Sequence, residues 1–163
     1  MALTKDKKKE ILGELKDAVK GAISIAFVNF HNLTVEDSTQ LRSQLREEGV
    51  SYRVAKKTLI KKALDDQKIE GDMPLLEGEL ALAYGNDLIA PARSVYAFQK
   101  DHKDMISIVG GVFEGKYMDM TAMNEIAMIP PTPILRGQFV NVINSPIQGL
   151  VVALNQIAEK KES

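Results

Sequence analysis

The sequence predicts an α/β protein, a compact α/β sandwich domain followed by an extended C-terminal helical tail. Three observations point there. Helical and strand-like apolar patterns alternate as far as Pro130-Pro131, the signature of helices layered on a sheet. Beyond Pro133 large apolar residues continue with no further strand or turn signal. The charge divides unevenly: residues 1–68 hold 14 Lys/Arg against 10 Asp/Glu, whereas residues 69–163 hold 7 against 12. Only the first part is polarised toward a polyanion. With 163 residues and 45% hydrophobic content, one domain with a real core and an appendage can be built, the domain over residues 1–130 and the tail over 131–163.

In chain order, Thr4 can cap a first helix whose apolar positions Ile11, Leu12, Leu15, Ala18 and Val19 share a face, ending at Gly21. Lys5, Lys7, Lys8 and Lys9 crowd its first turns, where the positive end of the helix dipole disfavours them. Ala22 to Val28 is nearly all apolar and reads as a strand covered on both faces. Thr34 caps a second helix with Glu36 and Asp37 in its first turn, Leu41 and Leu45 inward, Arg42 and Arg46 four apart, and Gly49 as its stop.

Val50 to Lys62 is the most unusual stretch. Val50, Tyr52 and Val54 alternate with Ser51, Arg53 and Ala55 as in a half-buried strand, and the spacing then changes to Leu59, Ile60, Ala63 and Leu64 of a helix. Arg53, Lys56, Lys57, Lys61 and Lys62 fall here with no acid between them. Lys56 and Lys57 sit in the first helical turn, against the dipole, at a cost of about a few tenths of a kcal/mol, which an external anion would relieve. The pairs Lys57/Lys61 and Thr58/Lys62 are each four apart, on the face opposite the apolar one. Such a ridge can track phosphates; an isolated cluster of this kind can also be a solvated helix face.

Asp65 to Gly78 reads as a polar, turn-rich connection. Leu80, Leu82 and Tyr84 form one face of a strand, Gly85-Asn86-Asp87 a turn, and a helix with Pro91 in its first turn carries Ala92, Val95 and Tyr96 inward. Met105 to Phe113 is a strand with a bulge or bend at Gly110-Gly111; Glu114-Gly115-Lys116 is a tight turn; a short helix from Thr121 to Ile129 closes the domain. In the tail, Phe139 to Asn144 (FVNVIN) and Leu150 to Asn155 (LVVALN) are offset by eleven residues, about three helical turns, so both present the same face. Ser145-Pro146 reads as the cap and first residue of a second tail helix. An apolar helical stripe here can be a C-terminal helix folded back on the domain; yet Phe139, Val140, Val142 and Ile143 cover most of a circumference, so this helix needs partners on several sides, and its repetition suggests repeated copies of one partner.

An enzyme is poorly supplied. The chain has no cysteine and two histidines, His31 and His102, far apart, and it lacks a phosphate-binding glycine loop, a nucleophile elbow and metal-ligand spacing. Asp65-Asp66 and Glu47-Glu48 read as solvated helix ends. No metal, cofactor, membrane or small-molecule substrate is expected, and with no secretion signal or spanning segment in the sequence, a cytoplasmic location is.

Over essentially its whole length the chain resembles the L-ten family of bacterial large-subunit ribosomal proteins, which form the base of the ribosomal stalk. The resemblance is carried by the N-terminal helix, by the block from Ala22 to Leu64, and by the proline-bounded C-terminal segment. Its most specific part is Val54-Ala55-Lys56-Lys57-Thr58-Leu59, where the family usually has Lys-Asn-Thr-Leu; Lys57 replaces the Asn and removes an amide that could bond RNA. The resemblance implies binding of the stalk-base region of large-subunit rRNA, beside another ribosomal protein. The RNA candidates are Arg53, Lys56, Lys57, Thr58, Lys61 and Lys62, extended by Lys5, Lys8, Arg42 and Arg46. It also implies that the C-terminal helix docks dimers of the acidic stalk protein, which recruit translational GTPases. The docking residues would be Ile134, Leu135, Phe139, Val140, Val142, Ile143, Ile147, Leu150, Val151, Leu154 and Ile157, and the repeated segment suggests two dimers. The alternative is a ribosome-assembly or other RNA-binding adaptor sharing the domain, which would not require the repeated apolar tail.

Overall fold

The computed structural model of the chain describes residues 5–67, 69–76, 78–102 and 105–162. The chain separates into two compact units, Met1–Ile129 and Pro130–Ser163. In the first, helices α1 (Lys5–Gly21), α2 (Val35–Glu47), α3 (Lys57–Asp65), α4 (Ala90–Asp101) and α5 (Met120–Ala127) accompany strands β1 (Ser24–Phe30), β2 (Ser51–Val54), β3 (Leu80–Gly85), β4 (Ile106–Phe113) and β5 (Lys116–Asp119). The second holds the single helix α6 (Thr132–Glu162). An α/β domain followed by a long C-terminal helix is the expected fold class.

The five strands form one sheet in the order β2-β3-β1-β4-β5, each pair antiparallel. β1 is its centre, and its alternating side chains supply both cores. Ile25 and Phe27 join Leu15 and Val19 of α1 and Ile60, Ala63 and Leu64 of α3 on one face. Ala26 and Val28 join Leu41 and Leu45 of α2, Val95 and Phe98 of α4 and Met123 of α5 on the other. The continuous apolar run therefore reflects helices on both faces of an antiparallel sheet. β3 is likewise buried on both sides: Leu80 and Leu82 face α1 and α3, and Ala81 and Ala83 face α4.

Local chemistry sets several boundaries. The Thr34 hydroxyl oxygen accepts from the Asp37 N–H at 3.2 Å, satisfying one of the helix's orphan donors. Gly49 leaves α2 at φ +72°. The proposed Thr4 cap lies outside the described residues. Pro91 is in the first turn of α4. Glu114 (φ 50°) and Gly115 (φ 77°) form the two-residue loop between β4 and β5, the positive dihedrals that match strand twist in a tight hairpin.

The bulge expected around Gly110-Gly111 is present: the ladder between β1 and β4 shifts register because Phe27 pairs with Gly110 and Val28 with Ile108, so Val109, immediately before Gly110, is the extra residue. Three expectations need correction. In β2 the inward alternation fails at Val54, which is 46% exposed, because an edge strand lacks a neighbour to cover its end. The connection after α3 is no polar loop. Leu76 is buried, Ile69 and Met73 pack beside it, and Glu70 exchanges backbone hydrogen bonds with Gly115 and Tyr117 at 3.0 and 2.9 Å. Finally, Ser145-Pro146 does not begin a new helix: α6 is continuous across Pro146. A proline removes one N–H and crowds the carbonyl four residues back, here that of Val142, but the ladder on either side is intact.

Gly111 shows how closely the layers approach. A Cβ there would lie 2.4 Å from the Ile25 carbonyl oxygen and 2.6 Å from the Met123 Cε. Gly111→Ala is expected to lower the unfolding free energy by about 1 to 3 kcal/mol. Gly13→Ala, in the exposed interior of α1 with nothing within 4 Å, should raise it by about 0.5 to 1 kcal/mol. Urea titrations of the two variants check the opposite signs.

Candidate nucleic-acid interface and apolar helix

The strand-to-helix turn after β2 places the basic residues at the edge of the sheet. Burial of Ile60, Ala63 and Leu64 fixes the rotation of α3, and the remaining face turns Lys57, Thr58, Lys61 and Lys62 to solvent. Lys56 is the N-cap, and no side chain caps the helix. Among the described residues, none of Lys56, Lys57, Lys61 and Lys62 has a carboxylate partner within 4 Å. The helix thus begins with uncapped N–H groups and two unpaired cations, both of which an anion would satisfy.

Arg53 belongs elsewhere. Its guanidinium pairs with Glu14 of α1, an exposed contact of about 0 to 1 kcal/mol, and it lines a cavity of about 330 Å³ with Arg42, Arg46, Tyr52 and Tyr84. The Arg42 guanidinium lies 5.8 Å from the Tyr52 ring centroid, within cation–π range. Burial pushes the Tyr52 phenol up to about 12, outweighing the opposing effect of Arg42, so the ring stays neutral. Eight of the ten RNA candidates therefore fall into a lysine ridge at α3 and an arginine basin beside β2; Lys5 and Lys8 belong to neither. Lys8 is exposed on α1, and the Lys5 side chain lies outside the described residues. The basin depends on Arg42 and Arg46 meeting Arg53 across the fold, and the sequence signal was only their spacing of four and seven residues' distance to Arg53.

A cleft of about 600 Å³ adjoins the ridge, lined by Ile11, Phe30, Val54, Ala55, Leu59 and Leu80 with Lys56, Lys57, Thr58 and Glu79. Sequence reasoning missed it, since its walls come from four separate segments. The histidines form no catalytic group. His31 is an exposed loop residue, and His102 stacks on Phe98 at 4.2 Å with its Nε2 3.6 Å from Asp37.

Along α6, 31 residues extend roughly 46 Å. All eleven docking candidates are exposed, from 39% at Leu135 to 70% at Val142, and Val152, not among them, is 54% exposed. At about 100° per residue, Phe139, Ile143, Ile147, Leu150, Leu154 and Ile157 follow one seam that crosses Pro146 without interruption. Val142 and Leu135 flank it on one side and Val140 and Val151 on the other. Gly137, Pro146 and Gly149 together weaken the helix by about 5 kcal/mol relative to alanine.

The family model for ribosomal protein L10 matches residues 3–100. The chain is 38% identical over 161 residues to the large ribosomal subunit protein uL10 of Fusobacterium nucleatum, covering 95% of each chain. To the protein of the same name in Clostridium tetani it is 36% identical, covering 93% of this chain and 88% of the relative. With that of Bacillus cereus it shares 32% identity, covering 99% and 98%. Fold, basic edge and full-length similarity agree, and the chain belongs to the ribosomal protein L10 family.

Proposed function

We propose that this chain, a structural, non-enzymatic protein of the bacterial large ribosomal subunit acting in translation in the cytoplasm, binds the stalk-base region of large-subunit rRNA and anchors the acidic stalk protein. In this reading residues 1–130 hold the RNA, beside a neighbouring stalk-base ribosomal protein, and residues 131–163 dock stalk-protein dimers. The observation that carries the RNA half is the lysine ridge of α3, exposed and without carboxylate partners among the described residues. Lysines held apart from internal acids release counterions from a polyanion instead of exchanging one ion pair for another. The arginine basin adds planar donors suited to phosphate and base stacking.

The docking half is supported by the seam on α6. A helix weakened by two glycines and a proline, with apolar residues exposed along its length, is stabilised by burying that seam in a partner. The clusters Phe139–Ile143 and Leu150–Leu154 lie eleven residues apart on the same face, one for each of two dimers. Each cluster offers about 6 to 15 kcal/mol before ordering and association costs.

Two experiments test these halves separately. Replacing Lys56, Lys57, Lys61 and Lys62 with Ala should weaken binding to a stalk-base rRNA fragment. Each lost phosphate contact should also reduce the log-log salt slope by roughly 0.7 to 0.9. A folded variant with unchanged affinity and slope would sink the ridge. For docking, deleting residues from Ser145 onward should remove one of two dimers and leave RNA affinity intact. Native mass spectrometry of the co-expressed complex decides: one or three dimers on the full chain, or loss of both together on truncation, refutes the two-cluster reading.

A further inference from the structure

We propose that the cleft beside the lysine ridge receives one unstacked nucleobase of the bound RNA. The cleft measures about 600 Å³ and combines walls of Phe30, Val54 and Leu59 with Lys56 and Lys57 and the carboxylate residue Glu79. Its volume lies in the range of small-molecule sites, about 300 to 1,000 Å³. The two kinds of lining ask for different things. A phosphate alone would satisfy the lysines and leave the apolar walls in water, and an apolar side chain would do the reverse. A nucleotide has a flat body for the walls and an anionic tether for the lysines.

Val54 sharpens the argument. The end of the edge strand leaves this β-branched side chain 46% exposed next to Lys56 and Lys57, where solvation by water alone favours a polar residue. Phe30 is half-buried and belongs partly to the core cluster below β1. Glu79 is exposed, and a carboxylate beside a polyanion is unfavourable unless it faces a donor; the Watson–Crick edge of an unpaired base supplies one, an exocyclic amine in cytosine, adenine and guanine and the N3–H in uracil. Phosphate contacts orient an RNA without reading it, so an inserted base would add selectivity that the ridge by itself lacks.

The proposal rests on the RNA-binding reading above, and the test separates the two. A stalk-base rRNA fragment is prepared with an abasic residue at each unpaired position in turn and titrated with the full-length protein. One position should cost about 5- to 100-fold in affinity, the range for loss of a stacked base. A 2-aminopurine placed there should change its fluorescence on binding. Val54→Trp, which fills the cleft without changing charge, should lose a similar factor on the intact RNA, lose little further on the critical abasic RNA, and keep the wild-type salt slope. If no abasic position matters while the lysine variants still lower the slope, the base pocket is overturned and RNA binding stands. If the protein does not bind the fragment at all, the RNA reading fails first. If Val54→Trp keeps full RNA affinity but weakens attachment of the neighbouring ribosomal protein in reconstituted subunits, the cleft holds a protein side chain and the proposal is wrong.

Discussion

Two-sided burial of β1 is the constraint on which the rest of the domain depends. Ile25 and Phe27 on one side and Ala26 and Val28 on the other are almost wholly buried, and each set meets its own helical layer. Fully burying a large apolar side chain is worth about 1.5 to 3 kcal/mol, so a slip of one residue in this strand would exchange both faces at once. The small residues Ala26, Ala81 and Ala83 let α4 approach the sheet, and Gly111 lets α5 bring Met123 against β4. With the centre so specified, the edges are free to carry other chemistry.

That freedom is where the cations are found. β2 is an edge strand, and an unpaired edge is commonly protected by charge. Here Arg53 lies on the strand itself and the lysines of α3 follow directly, so the positive charge that discourages strand addition continues into the lysine ridge. The apolar side of α3 is locked by Ile60, Ala63 and Leu64, which makes the direction of the lysine ridge a consequence of core packing. α2 presents Arg42 and Arg46 for the same reason, since Leu41 and Leu45 are buried. Rigid elements hold both groups of cations, although the individual side chains remain solvated.

α6 follows the opposite rule. Inside the domain, helices cover their apolar residues with the sheet. In α6 the apolar residues run along an exposed seam, and the helix contains residues that lower its intrinsic stability. An exposed apolar seam of this length is a surface that a partner could cover. Pro146 lies at the margin of the seam. It interrupts one hydrogen bond without turning the apolar residues away from one another, so the two clusters share a direction within a single helix.

The sequence by itself determined the fold class, the separation of a basic domain from an apolar tail, the two-sided burial of β1, the Thr34 cap, the Pro91 start and the Glu114-Gly115 turn, because each is a local matter of composition, periodicity, capping or dihedral preference. It also determined which lysines stand on the outer face of α3. Only the tertiary structure decided the strand order, the burial of Leu76 with Ile69 and Met73 packed half-buried beside it in a stretch of polar appearance, and the exposure of Val54. Those outcomes depend on which strand lies at an edge and on what crosses over it. The regrouping of Arg53 with Arg42 and Arg46, and the cleft joining Phe30 to Lys56, have the same origin: they gather residues distant in sequence, and spacing along a chain carries no information about distances through a folded core. The continuity of α6 was hidden for a different reason. Ser-Pro is an equally good signal for starting a helix and a tolerable interruption within one, and the choice rests on the regular structure on both sides of it.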